Sequence, residues 1–143
     1  MAMSAQLAGF KETREAMQEL TKTVQRNVGR RSLDAAAAII ATATKSRAPV
    51  STDPRNKTPG SLRASVQVVK SKSRVGAASG VLVADPAAVP NEYGTTKMAA
   101  QPFFRPAIDA SEGAALQAFA SAITVEVEKA AKRAAKQSKA KGK

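Results

Sequence analysis

The stretch from residue 92 to residue 107, the aromatic arm, constrains the fold of this chain more than any other part. The chain holds one Tyr, four Phe and no Trp, yet the Tyr and an adjacent pair of Phe lie within this stretch. Pro102 and Pro106 bracket the two Phe. A proline fixes its own φ and pushes the preceding residue towards an extended conformation. The pattern therefore predicts a stiff, extended segment that leads into a helix begun at Pro106.

Two roles are open for the aromatic arm. Arg and aromatic side chains are enriched at protein interfaces, which favours docking on a neighbouring subunit with Phe103 or Phe104 as the anchor. Alternatively, the Phe side chains fill the core of this domain, and Arg105 forms a local salt bridge that holds the arm in place. Docking predicts that truncation of either Phe leaves the monomer folded and blocks assembly. The predicted interface residues are Glu92, Tyr93, Gly94, Thr95, Pro102, Phe103, Phe104, Arg105 and Pro106.

Hydrophobic periodicity predicts a single α+β domain with the element order α-α-β-β-β-α. Two N-terminal helices precede a small antiparallel sheet of about three strands, and a long C-terminal helix packs on the sheet. Gly29 is expected to end the first helix, and Ser32 to cap the second. The predicted elements are helices 6–28, 32–48 and 106–137, strands 62–70, 75–85 and 89–93, and a loop at 50–60. The predicted apolar stripe of the last helix is Ile108, Leu116, Phe119, Ile123 and Val127.

Length and composition set the domain organisation. At 143 residues the chain is expected to form one domain, assigned to residues 1–128, with residues 129–143 as a basic helix end and a disordered tail. Only 3% of the residues are aromatic, so the core must be built from Ala, Val, Leu and Ile, which bury little area each. Modest stability of the isolated subunit follows, and association would compensate for it.

The positive charge is concentrated at the C-terminal end. The formal net charge is +12, and residues 129–143 carry basic side chains and no acid. One interpretation is non-specific contact with DNA phosphates; the other is a solvated helix end whose cations complement the macrodipole. The residues concerned are Lys129, Lys132, Arg133, Lys136, Lys139, Lys141 and Lys143.

No catalytic or metal-binding pattern emerges from the sequence. The chain has no His and no Cys, and its 11 acidic residues are scattered, so the usual general base and thiolate ligands are missing. Asp85 stands before a Pro, as turn residues commonly do. The sequence therefore predicts a protein that is not an enzyme and that uses no cofactor or metal. No apolar run approaches the roughly 20 residues that a membrane span requires, so a soluble protein made inside the cell is expected.

Two blocks of the sequence resemble a known protein family. Glu-Tyr-Gly-Thr at residues 92–95, followed by Gln-Pro-Phe-Phe-Arg-Pro-Ala at 101–107, is similar to the signature of tailed-phage neck and tail-completion proteins, including the lambda minor tail protein Z-like family. Upstream, Ala-Pro-Val at 48–50 and Gly-Ser-Leu-Arg-Ala-Ser-Val at 60–66 match a second family stretch. The link between Pro49 and Gly60 is longer than is usual in the family, and Val89-Pro90-Asn91 replaces a common Ala-Tyr pair.

The resemblance implies a structural role in the virion. It implies a homo-oligomeric ring of six- or twelve-fold symmetry in the phage neck, assembled in the host cytoplasm, through which DNA passes. The implied partners are the head connector and the tail-tube or tail-terminator proteins. Two alternatives stay open, namely a small basic nucleic-acid-binding module that uses the C-terminal Lys/Arg helix, and a chaperone or adaptor for another phage protein.

Overall fold

The computed structural model describes residues 10–53, 55–70 and 76–142. These residues form an α+β fold in which the expected N-terminal helices and long C-terminal helix are present, but the sheet has two strands rather than three. The elements are α1 (Phe10–Gln18), α2 (Lys22–Arg47), α3 (Ser61–Ala64), β1 (Val66–Lys70), β2 (Ser79–Val83), α4 (Ala88–Tyr93) and α5 (Phe104–Lys141). None of these described helices combines the length and hydropathy needed to cross a bilayer.

The break between the first two helices lies at residues 19–21 and not at Gly29. Thr21 has an extended backbone, and its Oγ1 accepts a hydrogen bond from the Val24 N–H at 3.4 Å, which caps the start of α2. From the other side, Gln25 Nε2 donates to the carbonyls of Met17 and Leu20 at 2.7 and 2.9 Å. The polar groups freed by the break are therefore satisfied locally, which lets α2 start early and run through Gly29.

Gly29 and Ser32 have packing roles in place of the predicted capping roles. A Cβ at Gly29 would lie 3.3 Å from the Cβ of Ala77, so the glycine allows the segment before β2 to approach α2 closely. Ser32 is fully buried in the middle of α2, and its Oγ donates to the Val28 carbonyl at 2.9 Å. A hydroxyl that bonds one turn back is compatible with a helix interior, so Ser32 does not mark a helix start.

The main packing contact joins α2 and α5, which run antiparallel. Val28, near the start of α2, packs with Ile123 and Val127 of α5, whereas Ala48, directly after α2, packs with Phe103, directly before α5. Between these two clusters the buried positions of both helices carry small residues: Ser32, Ala37, Ala41 and Thr44 on α2, and Ala107, Ser111 and Ala115 on α5. Small facing side chains let the two helices approach closely.

The buried stripe of α5 differs in part from the predicted stripe. Ile123 and Val127 are buried as expected, but Leu116 is 38% exposed and its neighbour Ala115 is buried instead. Ala107, Ser111 and Ala115 are spaced four residues apart, and four residues advance about 40° beyond one full turn. The stripe therefore winds around the helix, so a pattern restricted to large apolar residues selects the wrong positions at its N-terminal half.

The β1–β2 hairpin packs against α2. Its antiparallel register pairs Val66 with Val83 and Val69 with Gly80 without a bulge. Asp34, in the middle of α2, accepts a hydrogen bond from Ser79 Oγ at 2.8 Å and lies 3.6 Å from Lys70 Nζ. The predicted first strand begins late because Ser61–Ala64 is helical, and the first residue of the predicted second strand, Val75, lies outside the described residues.

The predicted third strand at residues 89–93 is wrong, because Ala88–Tyr93 form the short helix α4. Asp85 starts this turn, since its Oδ1 accepts from the Ala87 N–H at 2.8 Å and its carbonyl accepts from the Ala88 N–H at 3.0 Å. Pro90 lies in the first turn, where a missing N–H costs no intrahelical hydrogen bond. The proline that indicated a sheet edge is therefore equally compatible with a helix start.

The C-terminal helix starts earlier and ends later than predicted. It begins at Phe104, which places Pro106 in its first turn, and it continues to Lys141. Residues 138–141 are thus helical and not disordered, while Lys143 lies outside the described residues. Exposed Ala and Lys both have high helix propensity, which allows the helix to continue after its buried contacts end at Ala130.

Candidate functional site: a carboxylate-capped aromatic arm

The two ends of the aromatic arm meet at the carboxylate of Glu92. This side chain belongs to α4 and is almost fully buried. Its Oε2 accepts hydrogen bonds from the Phe103 and Phe104 N–H groups, both at 2.9 Å. Its Oε1 accepts from the backbone N–H of Arg105 and from Nε of the same residue, both at 3.1 Å. Four donors from one short segment therefore converge on a single carboxylate.

Glu92 acts as a remote N-cap for α5. The first N–H groups of a helix have no intrahelical partner, and the local N-cap residue, Phe103, provides no side-chain hydrogen bond. The Glu92 carboxylate satisfies three of these N–H groups and places a negative charge at the positive end of the helix dipole. The capping group thus comes from a residue 11 positions before the first N–H that it accepts.

The hydrogen bonds keep Glu92 ionised despite its burial. Desolvation opposes the charged form and by itself raises the pKa. The backbone N–H groups of Phe104, Phe103 and Arg105 and the Arg105 side chain outweigh it and lower the pKa from 4.5 to about 2. The sequence predicted a local salt bridge for Arg105 as one of two alternatives, and the structure forms it with Glu92.

Gly94 reverses the chain directly after α4. Its φ is +77° and its ψ is 177°, a region that essentially only glycine adopts. A Cβ at this position would lie 2.9 Å from the Ala100 nitrogen and 3.0 Å from the Met98 oxygen, both backbone atoms. The loop after it closes through Thr95 N–H to the Met98 carbonyl at 2.8 Å, and Gln101 N–H donates to the Asn91 carbonyl at 2.7 Å. Gly94 therefore combines a positive φ with a close approach of the 98–100 backbone.

Replacing Gly94 by Ala is expected to lower the free energy of unfolding by at least about 1–3 kcal/mol, the usual cost of a strained backbone conformation, with the steric contact adding to it. Gly60→Ala is the matched control. Gly60 also has a positive φ, of +84°, but no atom lies within 4 Å of its Cβ position. Urea denaturation of both variants measures the difference. Equal losses in the two variants would show that contact with the 98–100 backbone is unimportant.

The structure separates the predicted interface residues into buried and exposed groups. Phe103 is 1% exposed and packs with Ala48 and Leu62 in the core of its own domain. Phe104 and Pro106 are half-buried. On the surface, the Arg105 guanidinium lies 4.8 Å from the centre of the Tyr93 ring, within cation–π range. Tyr93 is 67% exposed, and Thr95 and Pro102 are exposed as well.

The arrangement places a Tyr–Arg pair at the surface, next to a buried carboxylate. Its one buried carboxylate is fully engaged by four donors, and within the described ranges no three His, Cys, Asp or Glu side chains cluster as metal ligands. What reaches the surface is a Tyr–Arg pair whose backbone is fixed from both sides. Sequence reasoning selected these residues but missed the capping role, because an acid that lies 12 residues before the first residue of a helix is not part of any local capping pattern.

The basic C-terminal residues that the structure describes lie exposed along the last turns of α5. The antiparallel packing brings them to the same end of the molecule as the basic first half of α2. Arg31 of α2 contacts Glu126 of α5 at 2.9 Å, and Lys129 lies 3.4 Å from the same carboxylate. Arg31 and Arg133 line one open groove together with Glu19 and Glu126. The predicted helix break at Gly29 did not anticipate that Arg31 of α2 lies beside the basic end of α5.

The family of the chain is shown by a match to a protein-family model. The model is described as "Bacteriophage HK97-gp10, putative tail-component", and it matches residues 11–89, just over half of the chain. The chain belongs to this family of bacteriophage tail components. The resemblance to tailed-phage neck and tail proteins is thereby confirmed.

The HK97-gp10-like match covers α1 to α3 and both strands and ends within the first turn of α4. It therefore stops before Glu92, so the aromatic arm lies outside the matched range. Comparisons with curated proteins and with solved structures gave no match.

Proposed function

We propose that this protein is a structural subunit of the phage neck that forms an oligomeric ring, joins the head connector to the tail and lets DNA pass. The observation that carries the proposal is the HK97-gp10-like match over residues 11–89. The partners are further copies of the chain, with six- or twelve-fold symmetry, the head connector, and the tail-tube or tail-terminator proteins. The protein acts in the virion after assembly in the host cytoplasm, and its role is not enzymatic.

The exposed part of the aromatic arm is the proposed partner surface. Tyr and Arg are among the side chains most enriched at residues that dominate binding energies, and here Tyr93 and Arg105 stack on each other at the surface. The Glu92 cap holds Arg105 through both its backbone and its side chain. A fixed pair loses little conformational entropy on binding. Glu92, Gly94 and Phe103 then serve the interface indirectly, because they hold the arm in shape.

The size of the purified protein tests the proposal. Light scattering and electron microscopy of the protein alone, and mixed with tail components, should show rings or density bound to tail ends. Tyr93→Ala should reduce this association without a loss of folding, because the side chain is mostly exposed. Val125→Ala, at an exposed apolar position on α5, serves as the control. A protein that stays monomeric in every mixture contradicts the proposal.

The second candidate function, binding of DNA by the basic helix end, is favoured by the exposed basic surface at the end of α5. We propose that this surface contacts the passing DNA without reading its sequence. Under this proposal the chain has two parts with different roles, the α+β domain at residues 1–128 and the basic DNA-contacting end at residues 129–143. In a neck ring such contact would assist DNA retention, whereas a free nucleic-acid-binding module would need no ring.

Deletion of residues 131–143 is expected to leave folding and ring formation intact and to weaken DNA binding. Ala130 is the last buried residue of α5, and every described residue after it is exposed. The affinity of the full-length protein for DNA should fall with added salt. A plot of the logarithm of the binding constant against the logarithm of the salt concentration should have a slope of roughly −1 for each phosphate contacted. Fluorescence anisotropy at several salt concentrations measures this slope. Full-length protein without salt-dependent affinity, or truncated protein that no longer assembles, contradicts the expectation.

A further inference from the structure

The β1–β2 hairpin has two open edges. Each strand has five residues, and among the described residues neither strand pairs with a third. A two-stranded hairpin is only marginally stable without further support, and here α2 covers one face. The edges themselves still present unpaired backbone groups, which are a template for pairing with another strand.

The hydrogen-bonding pattern identifies which residues of β2 point outward. In an antiparallel pair, residues that bond to the partner alternate with residues whose N–H and C=O groups point away from it. The Ala84 N–H donates to the Ser65 carbonyl at 3.4 Å, in line with the register of the hairpin. The bonded positions of β2 are then Leu82 and Gly80, so Val81 and Val83 direct their backbone groups to the open edge.

An apolar groove runs along this open edge of β2. Three consecutive residues, Val81, Leu82 and Val83, line it. Since consecutive residues of a strand point to opposite faces, a groove that touches all three lies at the edge and not on one face. The opposite wall is formed by Val89, Tyr93, Phe103 and Phe104, and the groove holds about 230 Å³. Its most exposed apolar side chains are Leu82, Val89 and Tyr93, at 45%, 65% and 67% exposure.

The edge of β2 lacks the features that protect edge strands from pairing. Natural edges are blunted by charged side chains, prolines or bulges. The sequence of β2 is Ser-Gly-Val-Leu-Val, without charge or proline, and its pairing with β1 is regular. The one lysine of the hairpin strands, Lys70, is directed to Asp34 of α2. The open edge and its apolar wall therefore form a site for an added strand.

We infer that this groove receives strand β1 of a second copy of the chain. β1 has the same length as β2 and an open edge of its own, and it carries Val66, Val68 and Val69. Its addition continues the alternation β1–β2–β1–β2 as one antiparallel sheet. It also places Val69, 38% exposed, on the same face as Leu82 of the neighbouring copy, so both apolar side chains become covered.

Such pairing joins two different edges and is therefore head-to-tail, the kind of contact that generates rings when the rotation closes. It specifies the subunit contact of the proposed neck ring and rests on that proposal. Strand addition of this kind takes its affinity from main-chain hydrogen bonds and its specificity from the side-chain pockets beside the edge. Tyr93 and Phe104 provide those pockets, which connects the aromatic arm with the contact between copies.

Disulfide cross-linking between two single-cysteine variants tests the pairing. The chain contains no Cys, so Leu82→Cys and Val69→Cys can be prepared as separate proteins, mixed and oxidised. Cross-linked dimer should form in the mixture well above the level given by either variant alone or by Val125→Cys, a control on α5. Efficient cross-linking of Leu82→Cys with itself would indicate two-fold pairing of β2 with β2 and would overturn the inference.

A charge at the groove provides the second test. Leu82→Lys is expected to raise the concentration needed for half-assembly by roughly tenfold or more, the size of effect of one interface hot spot. Val125→Lys is the matched control, since Val125 is 47% exposed against 45% for Leu82. Circular dichroism checks that both variants are folded. If both the wild-type and the Leu82→Lys proteins form rings at the same concentration, this inference is wrong but the proposed function stands. If the wild-type protein never oligomerises, the proposed function is wrong as well.

Discussion

Replacing Phe103 by Ala is expected to lower the free energy of unfolding by about 3–5 kcal/mol, the usual cost of truncating a buried Phe. The side chain is 1% exposed and packs between Ala48 after α2 and Leu62 of α3. It therefore joins the end of one long helix, the start of the other and the loop region between them. Because Phe103 is buried within its own subunit, its truncation is expected to reduce the stability of the subunit rather than its assembly. Urea denaturation of the isolated protein measures this loss of stability.

Phe104→Ala is the matched control for this prediction. Phe104 is the next residue and is half-buried, with its side chain at the wall of the β2 groove. We expect it to cost less stability than Phe103→Ala and to weaken association between copies. A Phe103→Ala protein that is as stable as the wild type but fails to assemble would contradict the core role and would favour docking of Phe103 on a neighbour.

Replacing Glu92 by Gln is expected to lower the free energy of unfolding by about 3 kcal/mol at neutral pH. The pKa of Glu92 is about 2 in the folded protein against an ordinary value of 4.5, and this difference corresponds to about 3 kcal/mol of stability. All four groups around the carboxylate are hydrogen-bond donors. The NH₂ group of Gln is also a donor, so it cannot accept the hydrogen bonds that one carboxylate oxygen accepts. Thermal and urea denaturation at neutral pH measure the loss.

The pH dependence of stability gives an independent measurement of the same contact. Because folding lowers the pKa of Glu92, its contribution is complete above the unfolded pKa and is lost as the pH falls through the folded pKa. The stability difference between wild type and Glu92→Gln should therefore be constant above about pH 5 and shrink between about pH 5 and pH 2. Glu128→Gln, an exposed position on α5, should change stability by no more than about 0.5 kcal/mol. A difference between wild type and Glu92→Gln that does not change with pH would contradict the capping role.

The sequence was sufficient to predict the fold class. Helical periodicity predicted helical N-terminal and C-terminal parts, although not the place where the first two helices divide. The local turn signals predicted the loop at 50–60, because these features depend on neighbouring residues. The sequence did not predict that the small residues of α2 face those of α5. The tight reversal at Gly94 has a positive φ, which favours glycine at this position.

The errors arose where contacts outside the usual capping and turn patterns decide the structure. Gly29 lies within α2 with Ala77 close to it, and Thr21 together with Gln25 satisfies polar groups at the actual break. Pro90 fits a strand edge and a helix start equally well, and only the contacts of Asp85 determine which forms. The capping role of Glu92 could not be predicted from the sequence either, because the N–H groups that donate to it lie after a loop and reach Glu92 only when this loop has folded back.

Localisation of the protein in assembled particles tests the central claim most directly. An epitope tag placed after Lys143 can be labelled with gold and imaged on phage particles by electron microscopy, with untagged particles as the background. A structural subunit of the neck predicts label at the junction of head and tail and nowhere else along the particle. Label that is absent from complete particles, or that is spread along the tail, would contradict the account.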